Sequence, residues 1–197
     1  MVRLLDIAFE SRRKFTQEEF FEFCLQHERD AARYELLDGK IVMNPPAGYP
    51  HGEVASIVNG VLRGFVRPGR LGKVFDSSQG FALPSGDTVA PDASFVSTAR
   101  WEAAPRPVPG KFLKPVPDLV VEIRSQSNTA ADMKQKRMIY EKNGVRELWC
   151  IDPFKRKVEL FVLTRGKFGA PEVAAPGATL ASHVLPGLEV QVGELFE

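Results

Sequence analysis

Residues 117–128, PDLVVEIRSQSN, decide the reading of the fold. From Asp118 to Ile123 the run is almost entirely apolar. A continuous Val, Ile and Leu stretch of this length predicts a strand covered on both faces of a sheet. Glu122 interrupts it at the C-terminal end, with Arg124 two residues on. A carboxylate buried in a strand is costly unless it is paired or completed by a cation. Side chains alternate along a strand, so Val120, Glu122 and Arg124 share one face. An ion pair between Glu122 and Arg124 is one explanation; a functional carboxylate is the other.

Working outward, residues 129–143 predict a helix that Gly144 stops. At about 100° per residue, Met133, Ile139 and Tyr140 fall within about 60° of Lys136. Lys136 therefore projects from the middle of the apolar face, an unusual place for a lysine. It either snorkels, pairs with Asp132 one turn earlier, or serves the carboxylate. After this helix, ELWCID and KVELFVL form a hairpin around Asp152-Pro153. Before the deciding strand come strand-like runs at 73–76, 80–83 and 89–96. A Pro-rich, basic loop follows at 103–117.

Further upstream, Val54, Ile57, Val58, Val61, Leu62 and Phe65 form a helical stripe ended by Pro68-Gly69. RYELLDGKIVMN reads as a hairpin turning at Asp38-Gly39. TQEE, residues 16–19, is a capping box that opens a short helix to about Gln26. The tail from 164 is rich in Gly and Pro with short strands. The expected architecture is α+β (mixed α/β), a central mixed sheet flanked by helices. With no linker dividing the apolar pattern, residues 1–197 are expected to form one domain: an N-terminal helical extension (1–30), a core (about 34–163) and C-terminal strands and turns (164–197).

Three further residues stand out. Asp92 follows Pro91 at the head of DASFVS, as a turn cap or a ligand. Glu35 alternates with Tyr34 and Leu36 in a hairpin strand, which alone reads as outward-facing. His51 opens the second helix on its apolar side, where a structural hydrogen bond is the simpler role.

Composition narrows the classes. The chain has 197 residues, 44% hydrophobic and 26% charged, with a net charge of +1. No global basic field exists, so polyanion binding needs a local patch. Arg63, Arg67, Arg70 and Lys73 form one candidate, and Arg106, Lys111 and Lys114 another. Cys24 and Cys150 sit in no paired spacing and read as free thiols of a reducing compartment. No apolar run is long enough for a membrane span. The N-terminal MVRLLDIAFESRRKF is broken by Asp6 and Glu10, a poor signal peptide. These features predict a soluble, cytoplasmic protein. Three histidines without HxH or HExxH argue against zinc. Phosphate-binding, dinucleotide and GxSxG loops are absent.

Pro91-Asp92 followed by Glu122-Ile123-Arg124 resembles the PD-(D/E)XK nuclease superfamily. The wider series YELLDGKIV, NPP…H, VAPDASFVS, PDLVVEIRSQSN, DMKQKRMIYEKNGVRELWCIDP and LPGLEVQVGELF resembles its Uma-two family of restriction endonucleases, from about Tyr34 to Phe196. The resemblance implies a restriction-endonuclease-like fold and a Mg²⁺-dependent (or Mn²⁺-dependent) endonuclease acting on DNA. It places the metal carboxylates on Asp92 and Glu122, an accessory carboxylate on Glu35 and the active lysine on Lys136. Arg124 departs from the pattern, since the family has an apolar residue there. Arginine stays protonated and cannot act as a base, but it and His51 are candidate substrate contacts. A homodimer would suit cutting of both strands. Two alternatives remain at this stage: a nuclease fold kept for binding with weak or no catalysis, and a metal-dependent hydrolase of another phosphoester.

Overall fold

The computed structural model describes residues 10–197. The part of the expected N-terminal extension before Glu10 lies outside them. The elements run α1 (Gln17–Gln26), β1 (Arg33–Leu37), β2 (Lys40–Asn44), α2 (His51–Val66), β3 (Gly72–Asp76), β4 (Phe81–Ala82), β5 (Thr88–Val89) and β6 (Ala93–Ser97). They continue α3 (Thr98–Ala103), β7 (Leu119–Ile123), α4 (Ala130–Lys142), β8 (Glu147–Asp152) and β9 (Lys157–Thr164). The chain closes with β10 (Lys167–Phe168), β11 (Glu172–Ala174), β12 (Thr179–Ala181), β13 (Glu189–Gln191) and a 3-10 turn at Val192–Phe196.

The main sheet is mixed, in the order β10-β9-β8-β7-β6-β3, with β11 paired to β9. The deciding strand β7 runs parallel to β8 and antiparallel to β6, and all its residues are buried. Its alternation sends Leu119, Val121 and Ile123 to one face, where they pack with Val54, Val58, Leu62 and Val66 of α2 and with C-terminal residues such as Leu188 and Val192. Val120 faces the other way, among Ile139 and Tyr140 of α4, Leu148 and Phe161. Glu122 shares this second face, where the apolar cluster gives out under α4.

A smaller sheet, β2-β1-β5-β4, stands beside this face. Its β1–β2 hairpin turns at Asp38 and Gly39, both at positive φ (52° and 81°), the turn that suits a right-twisted pair. Helix α1 is capped by the expected box, Thr16 with Glu19, and buries Phe20 against Leu36 and Ile41. On the hairpin's other side Leu37 joins the α4 cluster. The hairpin is thus covered on both faces.

Two expectations change in detail. The predicted run at 89–96 divides into β5 and β6, because Pro91 offers no ladder N–H. The short helix α3, capped by Ser97 Oγ, fills the stretch between the expected strand, to 96, and the expected loop, from 103.

Candidate active site

Strands β6 and β7 pair Ala93 with Val121. One residue further, Asp92 therefore stands opposite Glu122. Like charges facing each other across strands are destabilising unless something lies between them. Asp92 and Glu122 are each 5% exposed, and Glu35 of β1 is 2% exposed. The three carboxylates line one cleft, with Arg33, Asn44, His51 and Lys136.

Lys136 supplies the central counter-charge. Its Nζ lies 2.9 Å from Glu35 Oε2 and 3.0 Å from Glu122 Oε2. Helix α4 places it there because Thr129 and Asp132 close a capping box at the helix start. Asp132 is thereby used by the cap, with Oδ2 accepting from Thr129 N at 2.8 Å. Tyr140, one turn after Lys136, donates its hydroxyl to Glu122 Oε1.

The other two carboxylates are held by different means. Glu35 Oε1 accepts from the Ala90 N–H at 2.9 Å, and Oε2 from Asn44 Nδ2 at 2.9 Å. Asp92 Oδ2 accepts from the Ile123 N–H at 2.8 Å and stands 3.2 Å from His51 Nε2. Its Oδ1 has only a long contact, 3.4 Å, to Arg33. Asn59 of α2 donates to the Asp92 carbonyl at 3.1 Å, fixing the strand entry.

These surroundings separate the titrations. Burial pushes Glu122 up to about 7, helped by Asp92 and Glu35 and opposed by Lys136 and Tyr140. Asp92 is also penalised by burial, but its bonds to His51 and the Ile123 N–H outweigh that and hold its carboxyl low. Burial works against the Lys136 charge too, yet Glu122 and Glu35 raise its pKa above the ordinary lysine value. Tyr140 is raised well above the usual phenol range by burial and then by Glu122. Lys136 and Tyr140 are therefore fixed hydrogen-bond donors at neutral pH, and Glu122 is the group poised to change charge.

Of the residues singled out in the sequence, Glu35, His51, Asp92, Glu122 and Lys136 come together in this cleft. Arg124 does not. Its guanidinium turns to Asp152 at 3.3 Å, so the simple Glu122–Arg124 pair does not form. Glu35 is not outward-facing: α1 covers the opposite, Leu36 face of the hairpin, and the Glu35 face turns to α4, where Lys136 meets it. Three participants were not foreseen as such. Tyr140 was seen only as part of an apolar stripe. Arg33 and Asn44 are cross-strand partners in the β1–β2 register, a pairing the hairpin prediction already contained.

A family model described as "Uma2: Putative restriction endonuclease" matches residues 17–193. The match takes in α1, upstream of where the resemblance in the sequence began. Among solved structures, "a putative nuclease belonging to DUF820 from Anabaena variabilis ATCC 29413" aligns with a TM-score of 0.76. The alignment covers 92% of this chain and 97% of that one, at 22% sequence identity. No curated protein matches. The likeness carries the fold: a restriction-endonuclease-like mixed sheet flanked by helices.

Proposed function

The chain belongs to the Uma2 family, and on that premise we propose that it is an endonuclease that hydrolyses DNA phosphodiester bonds at the Asp92–Glu122–Lys136 cleft, using Mg²⁺ or Mn²⁺. The observation that carries this reading is the convergence of three buried carboxylates in one cleft, two of them paired with the same ammonium. The same reading takes the whole chain as one nuclease unit with its core at about 34–163.

The donor set fits a hard divalent cation. Among the described residues, no group of three or more His, Cys, Asp or Glu side chains is arranged to hold a metal ion. Mg²⁺ does not need three, since it typically takes one or two carboxylates and fills its remaining positions with water and phosphate oxygens. Asp92 and Glu122 are the two that fit. Asp92 Oδ1 is its least engaged oxygen, and Glu122 is buried with more negative than positive neighbours. Glu35, already bonded to Ala90, Asn44 and Lys136, suits an outer position. Held by Asp92 and Glu122, such a cation would supply a more acidic bound water and would offset charge on the phosphate.

The chain's own residues do the rest. Lys136 Nζ, permanently protonated, orients the attacking water or donates to a phosphoryl oxygen as charge builds. It cannot serve as the base in this state. Tyr140 Oη holds the Glu122 carboxylate in one orientation, and His51 and the Ile123 N–H do the same for Asp92. The cavity beside them is about 40 Å³, room for an ion and a few waters but not for a buried small phosphoester. That favours a substrate lying across the cleft mouth, as a polymer backbone does. The test is cleavage of plasmid and oligonucleotide DNA with Mg²⁺ or Mn²⁺. Wild type should cut, while Asp92→Ala, Glu122→Gln and Lys136→Ala should lose at least about 100-fold. Absence of cutting by wild type contradicts the proposal.

A further inference from the structure

Across α4 from the carboxylate cleft lies a second cavity, of about 370 Å³, between the helix and strands β8 and β9. Four cationic side chains line it, Arg124, Lys134, Arg137 and Lys157, against two carboxylates, Asp152 and Glu159. Lys157 is held by Glu159 at 2.5 Å. Arg124 touches Asp152 only at 3.3 Å, and the other Asp152 oxygen already accepts from the Phe154 and Lys155 N–H groups. Lys134 and Arg137 form no ion pair among the described residues. The Arg137 guanidinium lies 4.9 Å from the Phe161 ring centroid, a contact that fixes its position through its face rather than through its N–H donors.

The groove and the cleft share their walls. On β7 and the segment after it, Ile123 and Ser125 line the cleft while Arg124 between them lines the groove. On α4, Lys136 lines the cleft and Arg137 the groove. Lys136 and Arg33 offset only part of the charge of the three carboxylates in the cleft, and a net charge of +1 supplies no general attraction. A positive surface next to the cleft would supply the attraction that the cleft lacks. No residue of either basic run noted in the sequence lines the cleft or the groove.

We infer that this groove binds the phosphodiester backbone adjacent to the bond presented to the cleft, with Arg124, Lys134 and Arg137 as the phosphate contacts. The inference rests on the nuclease reading and adds the path of the strand. Arg124, which breaks the family pattern, then serves as a phosphate contact of the groove rather than as a partner of Glu122.

The test is anisotropy of a short fluorescent DNA duplex in EDTA, from about 50 to 200 mM KCl. Each phosphate contact contributes about 0.9 to the slope of log K against log salt. Lys134→Gln/Arg137→Gln should therefore lower the slope by about 1.8, and weaken binding near 0.1 M salt by roughly 60-fold. Arg124→Gln alone should lower it by about 0.9. Arg106→Gln/Lys114→Gln, in the Pro-rich loop, should leave it unchanged. Circular dichroism confirms that each variant is folded; Arg124→Gln carries the test alone if loss of the Phe161 contact unfolds the double variant. If wild type binds and cuts DNA but the groove variants keep its slope, the inference fails and the nuclease reading survives. If wild type neither binds nor cuts, both fail.

Discussion

Replacing Lys136 by methionine keeps the side-chain stem and removes only the charge, so it isolates what the ammonium contributes. Glu35, Asp92 and Glu122 are 2%, 5% and 5% exposed, and Lys136 contacts two of them directly, at 2.9 and 3.0 Å. Removing one member of a buried ion pair typically costs about 3–5 kcal/mol, because the partner is left uncompensated. For a chain of this size each kcal/mol moves Tm by about 2–4 °C, so Lys136→Met should melt about 10 °C below wild type at pH 8 in EDTA. Two controls separate charge from packing. Lowering the pH to 5 should shrink the gap, since protonation of Glu122 removes one of the unopposed charges. Adding Mn²⁺ should also narrow it, because the carboxylates left without their ammonium bind the cation more tightly than those of wild type and so gain more from mass action. A variant melting within about 2 °C of wild type at pH 8 in EDTA refutes the reasoning, as Lys136 would then not be the counter-charge of the cluster.

Other perturbations test neighbouring parts of the account. Glu122 is raised to about 7 from an ordinary 4.5, so its neutral form favours the fold: its contribution is fully present below about pH 4.5 and is lost as pH rises through about 7. Urea unfolding of the metal-free protein across that window should show wild type losing stability relative to Glu122→Gln as pH rises. Tyr140→Phe removes the hydroxyl donor to Glu122 and should cost about 1.5–3 kcal/mol in urea unfolding, with weaker Mn²⁺ binding. Glu147, fully buried, accepts from Trp149 Nε1, Ser182 Oγ and the N–H groups of His183 and Val184. Glu147→Ala should cost at least about 3 kcal/mol and expose the segment around 180–196 to limited proteolysis. Leu62→Ala, beneath α2, should cost about 2–5 kcal/mol by the same unfolding assay and leave Mn²⁺ affinity unchanged.

What the sequence revealed follows the range of the interactions involved. Strand β7 was legible because burial on both faces writes itself as an unbroken apolar run, and Glu122 stood out against it. The helical period alone marked Lys136, because a charge centred on an apolar stripe needs a partner beneath it. Glu35 was misread from its own strand, since one face of a hairpin is usually solvated; nothing local shows that α1 covers the Leu36 face and that α4, far along the chain, meets the Glu35 face. Glu147 looked like an ordinary strand start, because its partners Ser182, His183 and Val184 are 35 to 37 residues away. Arg124 was correctly seen to share the Glu122 face, but its partner Asp152 is set by the β7–β8–β9 order rather than by β7 itself. Local period and capping are readable from residues in a window; cross-element pairing is not.

The most direct measurement of the central claim is calorimetric titration of Mn²⁺ into the folded protein, beside Asp92→Ala and Glu122→Gln. The account predicts saturable binding in wild type that both variants lose, accompanied by proton release near neutral pH as Glu122 gives up its proton. Absence of binding in wild type, or binding that survives both substitutions, would contradict it.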